Sequence, residues 1–455
     1  MKPLHHLIPT MALVLALGTS APPARQASDA EAVARLQQQI EELRTQIREL
    51  QQQVAALGAP LRQAPAAPPP AAPPEPAAPE ATPSIAEPPG TPAGSNRAGS
   101  SVFNPAISSV FQLIGNGSFS HDPEGEGFEL SEAELALQSV VDPYARVDLF
   151  FSFEADGEAA VEEGTVTSTG MPGGLQLKGG RFKSALGKWN RWHPHQFYTV
   201  DSPDVLTAFF GDESLTSDGL SMSWLIPGTS SVFLESTTEV GNTSNDVSFN
   251  AEENDPILLE HLGSVFTLTS SATLGAGLSA VAGRSGPTEA LLGELDEAGL
   301  AGTLEPSESL PDRLLGADLT YKWKPLSRNT YRSVVVQAEG LQSRRGVEEL
   351  EGTSLRRTTS TVWGGYAYGE YQFAKRWRGG IRYDRTGFPG VEEARQRAVS
   401  AVLRIIPTEF QELRVQFKHT TRNHAAALLF DDEADDSQVF FEWIPAIGAH
   451  GAHPY

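Results

Sequence analysis

Between Leu177 and Phe197 the sequence reads LKGGRFKSALGKWNRWHPHQF, with five basic residues, two histidines and two tryptophans in a chain whose 57 acidic residues outnumber its 34 basic ones. His193 and His195 stand either side of one proline, and His450 and His453 lie near the other end of the chain. Four imidazoles suit a borderline or soft divalent metal. Neither pair has the neighbouring carboxylates or the spacing of an established metal signature, so both serve equally well as ordinary loop and tail residues. Lys183, Lys188, Trp189, Arg191 and Trp192 suit a different task, the lining of a narrow aqueous passage in which fixed charges focus the potential. Catalysis finds no support: there is no G-x-S-x-G, no H-E-x-x-H and no P-loop. The absence of cysteine removes thiolate nucleophiles, thiolate metal sites and disulfides. A formal net charge of -23 argues against wholesale binding of nucleic acid. We therefore expect neither an enzyme nor a cofactor.

The elements that must position these residues begin with an export signal. Lys2, the apolar run from Leu7 to Leu17, and small residues at Thr19 and Ala21 fit a signal peptide over 1–21. Residues 31–57 read as an α-helical coiled coil, with Val33, Ile40, Ile47 and Val54 at one heptad position and Leu36, Leu43, Leu50 and Leu57 at the other. The pattern predicts a homo-oligomer, and β-branched a positions with Leu at d lean towards a dimer. A Pro/Ala-rich linker follows over 58–101, a composition that favours extended polyproline II structure over a core.

From residue 102 to 455 the chain alternates apolar and polar residues in segments broken by Gly, Pro and acidic clusters. About sixteen strands can be drawn. Tight turns such as Asp142-Pro143, Gly170–Gly173, Pro227–Thr229 and Pro325–Arg328 interleave with longer acidic loops, among them Ala251–Asp255, Gly293–Gly299, Glu348–Gly352 and Asp431–Asp436. Short connections at one end and long ones at the other are the build of a transmembrane antiparallel β-barrel. No segment supplies the roughly 20 consecutive apolar residues of a spanning helix, so membrane embedding must use strands. Periodicity alone also fits a soluble sandwich with its apolar face inside. Export, one-sided loops and the aromatics beside the short turns (Trp224, Trp323, Phe373, Phe410) favour the all-β barrel.

In that reading Ala145, Val147, Leu149, Phe151 and Phe153 face lipid, while Arg146, Asp148, Ser152 and Glu154 face the lumen. The same parity lines the lumen with a basic wall of Lys322, Lys324, Arg376, Arg378, Arg382, Arg404, Arg414 and Lys418, among which sit Asp384 and Glu412. Such a wall draws anionic solutes or sets a transverse field, unless its arginines are paired within it. The long, aromatic-rich segment from Ser184 to Thr216 is expected to fold inward and place Lys188 and Arg191 on the solute path. Pro445 sits awkwardly in the closing strand, calling for a bulge or an early end.

The strand end LKGGRFKSALGK, after SEAELALQSVVDPYARVDLFFSF, resembles the phosphate-selective porin family over Phe103 to Ile226. The resemblance implies a sixteen-stranded trimeric porin with a loop folded into the channel, and carries over Arg181, Phe182, Lys183 and Gly187 as the strand-end motif. The tail GAHGAHPY, Gly448 to Tyr455, is similar to that of outer-membrane proteins described as zinc-regulated receptors. Three readings follow: a passive outer-membrane channel for small polar or anionic solutes with its coiled coil in the periplasm, a receptor with metal-linked uptake, and an envelope tether acting through the coiled coil.

Overall fold

The structure, a computed structural model, describes residues 105–119, 127–154, 159–211, 214–228, 231–243, 245–251, 255–327, 329–430 and 433–448. The signal peptide, coiled coil and linker lie outside them, as do His450 and His453.

Sixteen strands form one closed barrel in which each pairs antiparallel with its sequence neighbours and β1 closes on β16. They are β1 (Ala106–Ser118), β2 (Gly127–Asp142), β3 (Ala145–Glu154), β4 (Ala159–Ser168), β5 (Leu175–Lys183), β6 (Thr216–Ile226), β7 (Val232–Thr243) and β8 (Ile257–Thr269). The second half comprises β9 (Ala272–Ser285), β10 (Leu310–Trp323), β11 (Ser333–Glu351), β12 (Ser354–Ala374), β13 (Trp377–Phe388), β14 (Val391–Thr408), β15 (Gln411–Arg422) and β16 (Asp435–Gly448). Closure leaves no unpaired sheet edge.

Burial runs opposite to that of a soluble sandwich. Leu220, Leu278, Ile381 and Trp363 are each more than 60% exposed, whereas Arg382, Arg414, Gln416 and Glu442 are fully buried. Alternation along each strand sends apolar residues outward and polar ones into the barrel, as lipid outside and a polar interior require. Trp224, Phe373 and Phe410 stand exposed beside the short connections, where aromatic residues suit a membrane interface.

Three expectations need correction. Glu348–Gly352 is no loop: β11 and β12 continue as one long hairpin to a turn at Gly352-Thr353. Cross-strand charge pairs hold its tip, with Arg357 Nε 2.9 Å from Glu348 and Arg356 Nη1 2.9 Å from Glu351. Phe388 and Val391 likewise flank a tight turn, so among the described residues the long-loop end carries these two short connections. Gly293–Gly299 lies largely in a helix, α2 (Glu289–Glu297), numbered after α1 (Asp204–Phe210) and capped by Thr288. Pro445 requires neither bulge nor early end. β16 runs through it to Gly448, and its ladder with β1 keeps one register, with no pairs at Ile444 and Pro445 where proline has no N–H to give.

Candidate functional site: a loop across the lumen

Lys183 pairs with Thr216 across β5 and β6, so the segment between them leaves and re-enters the barrel at one place. It folds inward. Two short 3-10 turns, Trp189–Arg191 and Pro194–Gln196, precede α1. Trp189 sits at the centre of the loop's apolar core, with ring centroids 5.4 Å from Trp192, 5.0 Å from Phe197 and 5.5 Å from Tyr366 of β12. Tyr198 stacks on Tyr368 at 5.2 Å. Burying such aromatics contributes about 1.5–3 kcal/mol each, enough to hold a loop without regular structure. Trp189 and Trp192 thus anchor the loop.

Wall side chains take up the loop's backbone donors. Glu239 of β7 accepts from Ala185 N at 3.0 Å, Ser279 of β9 from Gly187 N at 3.1 Å, and Glu339 of β11 from Lys188 N and Trp189 N at 3.3 and 3.4 Å. On the far side Gln416 of β15 accepts from Val200 N at 2.7 Å, and Asp384 of β13 from Asp204 N at 3.2 Å. Arg382 Nη2 lies 2.8 Å from Asp201, and Lys418 Nζ lies 2.7 Å from Asp201 and 2.6 Å from Asp204. Burial alone would raise the Asp201 carboxyl, but Arg382 and Lys418 override it and hold it well below the usual carboxylate range.

The basic wall is thereby neutralised. Arg404 spans Glu412 at 2.6 Å and Glu370 at 2.8 Å, and Arg414 spans Glu412 at 2.8 Å and Glu442 at 2.9 Å. Arg378 lies 3.6 Å from Glu370. Arg404 and Arg414 each sit between two carboxylates, and Arg378 beside one, because an unpaired buried charge would be too costly. Arg376 and Lys324 do not belong to the wall: Arg376 is exposed in the β12–β13 turn and Lys324 is exposed just past β10.

Lys322 does face the lumen, near Lys188, which in turn neighbours Arg191. None of the three makes an ion pair among the described residues. Burial, then neighbouring Arg191, pushes the Lys188 ammonium below its usual value. Two cavities flank the loop. One of about 400 Å³ lies between Val200-Asp201 and β1, β2 and β16. The other, of about 240 Å³, lies between the loop and β2 to β6, with Glu132, Glu162 and Lys183 in its wall.

The chain is similar to several solved bacterial outer-membrane proteins, a porin among them. No protein-family model matches it. The anion-selective porin from Comamonas acidovorans is 9% identical with a TM-score of 0.49, the comparison covering 76% of this chain and 99% of that one. OmpT of Vibrio cholerae in its trimer form is 8% identical with a TM-score of 0.48, covering 76% and 99%. Salmonella typhi OmpF is 10% identical with a TM-score of 0.48, covering 75% and 97%. In sequence, an uncharacterized protein of Aquifex aeolicus is 28% identical over 385 residues, 80% of this chain and 77% of that protein.

His193 and His195 have carboxylates that sequence spacing did not reveal. His193 Nδ1 lies 2.7 Å from Glu162 and 3.0 Å from Glu134, and its Nε2 lies 2.8 Å from Glu163. His195 Nδ1 lies 3.5 Å from Glu134. Burial would lower the His193 imidazole, but these carboxylates hold it well above its usual value. The one available signal was parity: Glu132 and Glu134 alternate with apolar residues on β2 and so share the lumen face.

Proposed function

We propose that the chain is an outer-membrane channel through which small polar solutes diffuse passively, with the inward loop as its constriction and no catalytic role. The observation that carries this reading is the loop's path: it enters from β5, docks on β7 to β15, and leaves cavities on its flanks. A loop serving only to cap the barrel has no need of docking partners deep on the inner wall.

Among polar solutes, anions are favoured. The β12–β16 wall is internally paired, so its field is transverse rather than of one sign. Among the described residues Lys188, Arg191 and Lys322 are lumen cations without an ion pair, with Asp318 as a neighbour of Lys188 and Arg191. The heptad run over 31–57 supports assembly into an oligomer through the N-terminal segment. Planar-bilayer recording across a salt gradient tests the reading. The native protein is expected to conduct with a reversal potential favouring anions, and Lys188→Ala with Lys322→Ala to shift it towards cations. A barrel that folds but never conducts would rule the channel out.

A further inference from the structure

On the side of the lumen away from the paired wall, the loop meets an excess of carboxylates. Glu132 and Glu134 of β2 and Glu162 and Glu163 of β4 surround His193, with Lys183 reaching Glu162 at 3.8 Å. We propose that Glu134, Glu162 and His193 form a divalent-cation site that pins the inward loop to the β2–β4 wall.

The donor atoms of these three residues, one imidazole nitrogen and two carboxylate oxygens, all lie within 4.8 Å of one another. A tetrahedral ion with bonds of about 2.0–2.1 Å needs donors about 3.4 Å apart, so the contacts at 2.7 and 3.0 Å have to open slightly and the two carboxylates, within 4.8 Å of each other, have to settle to that span. The surroundings hold the ligands in place. Glu163 takes the other ring nitrogen of His193, the partner that usually orients a metal-bound imidazole. The Phe150 ring packs against it at 4.9 Å. His195 stacks on His193 at 5.8 Å with its Nδ1 3.5 Å from Glu134, within reach as a fourth donor.

An independent observation points to a cation as ligand. Glu132 is 9% exposed, yet its Oε1 has no hydrogen-bond partner. Glu134 Oε2 lies 3.0 Å from His193 Nδ1 as an ion-pair partner, without hydrogen-bond geometry. A buried carboxylate oxygen without a donor is costly, and an ion beside it removes that cost. Glu132 and Glu162 also line the cavity of about 240 Å³, which gives an ion a way in. Mixed imidazole and carboxylate donors suit Zn²⁺ or Mn²⁺; Ca²⁺ asks for six to eight oxygens.

The test is titration of the full-length protein in detergent with ZnCl₂ and with MnCl₂ by calorimetry, together with the anomalous peak from zinc-soaked crystals. We expect the native protein to bind an ion between Glu134, Glu162 and His193. Glu134→Gln with Glu162→Gln keeps side-chain shape and should weaken binding at least about tenfold, while Glu349→Gln on the exposed hairpin should not. Absence of binding at millimolar metal, a peak only elsewhere, or undiminished affinity in the folded double variant would overturn the site. If the double variant does not fold, the anomalous peak decides alone. Binding is read without conductance, so its failure leaves the channel reading untouched.

Discussion

Arg382 of β13 and Asp201 of the inward loop meet at 2.8 Å, side by side with Lys418 of β15 on the same carboxylate at 2.7 Å. Arg382 also donates to Thr199 Oγ1 and to the Asp201 carbonyl, so one guanidinium fixes both the side chain and the backbone of the loop's tip. Its planar fork suits this multiple grip in a way a lysine ammonium does not. Removing one member leaves the others charged and buried.

Asp201→Asn should accordingly free the loop tip. Breaking such a pair from one side costs about 3 kcal/mol. Hydrogen exchange is the check: protection should fall at the loop and stay unchanged in β9 and β10. Unaltered loop protection would show that the apolar core alone holds the loop.

The same contact sets a pH dependence. The Asp201 carboxyl, faced by Arg382, Lys418, the Gln416 amide, Asp204 and Asp384, titrates below its unfolded value of about 3.9. Its contribution is therefore fully present above that value and is lost only as pH falls towards the lower folded one. The difference in Trp189 and Trp192 fluorescence between the native protein and Asp201→Asn, which isolates this carboxylate, should stay flat from neutral pH down to about 4 and change below it. A transition near pH 6 in that difference would contradict this.

Gly187 has φ of 52°, and a Cβ there would lie 1.7 Å from Glu339 Oε1. That carboxylate receives Lys188 N and Trp189 N, so it cannot withdraw without stranding both. Gly187→Ala should shift the loop and expose it to limited proteolysis, while heat-modified mobility of the barrel on gels is retained. A protease-resistant loop in this variant would mean that Glu339 is dispensable to docking.

Leu278, central on β9 and 61% exposed, tests the lipid-facing surface. Leu278→Lys should cost about 2–4 kcal/mol of folding stability in bilayers if it lies near the midplane. Urea titration of refolding into vesicles measures this, and an unchanged midpoint would place the residue in water.

Much of this was legible in the sequence, for reasons visible in single residues. Outward Val147, Leu149 and Phe151 alternate with polar neighbours, and turns such as Asp142-Pro143 mark strand ends by chemistry that acts locally. The β11–β12 tip was misread as a loop because Glu348, Glu349, Arg356 and Arg357 look like solvated charge until the hairpin sets them face to face. The inward loop was anticipated from its length and aromatic content. Its partners were not, since Glu134, Glu162, Glu339 and Glu442 stand on separate strands and meet the loop or its docking wall only when the barrel closes. Parity placed six of the eight basic-wall residues correctly, Arg376 and Lys324 lying in or beside turns, and it left open whether the arginines are paired, because pairing between strands depends on register.

Since Lys183 and Thr216 are already opposite each other, a short turn can replace residues 184–215 without straining β5 or β6. Single-channel conductance of the native protein and of this loop-replaced form in planar bilayers addresses the channel and its constriction together. We expect discrete, anion-favouring steps from the native protein and larger steps with weaker selectivity once the loop is gone. Equal conductance in the two forms, or none in either when both are folded, would contradict a channel constricted by this loop.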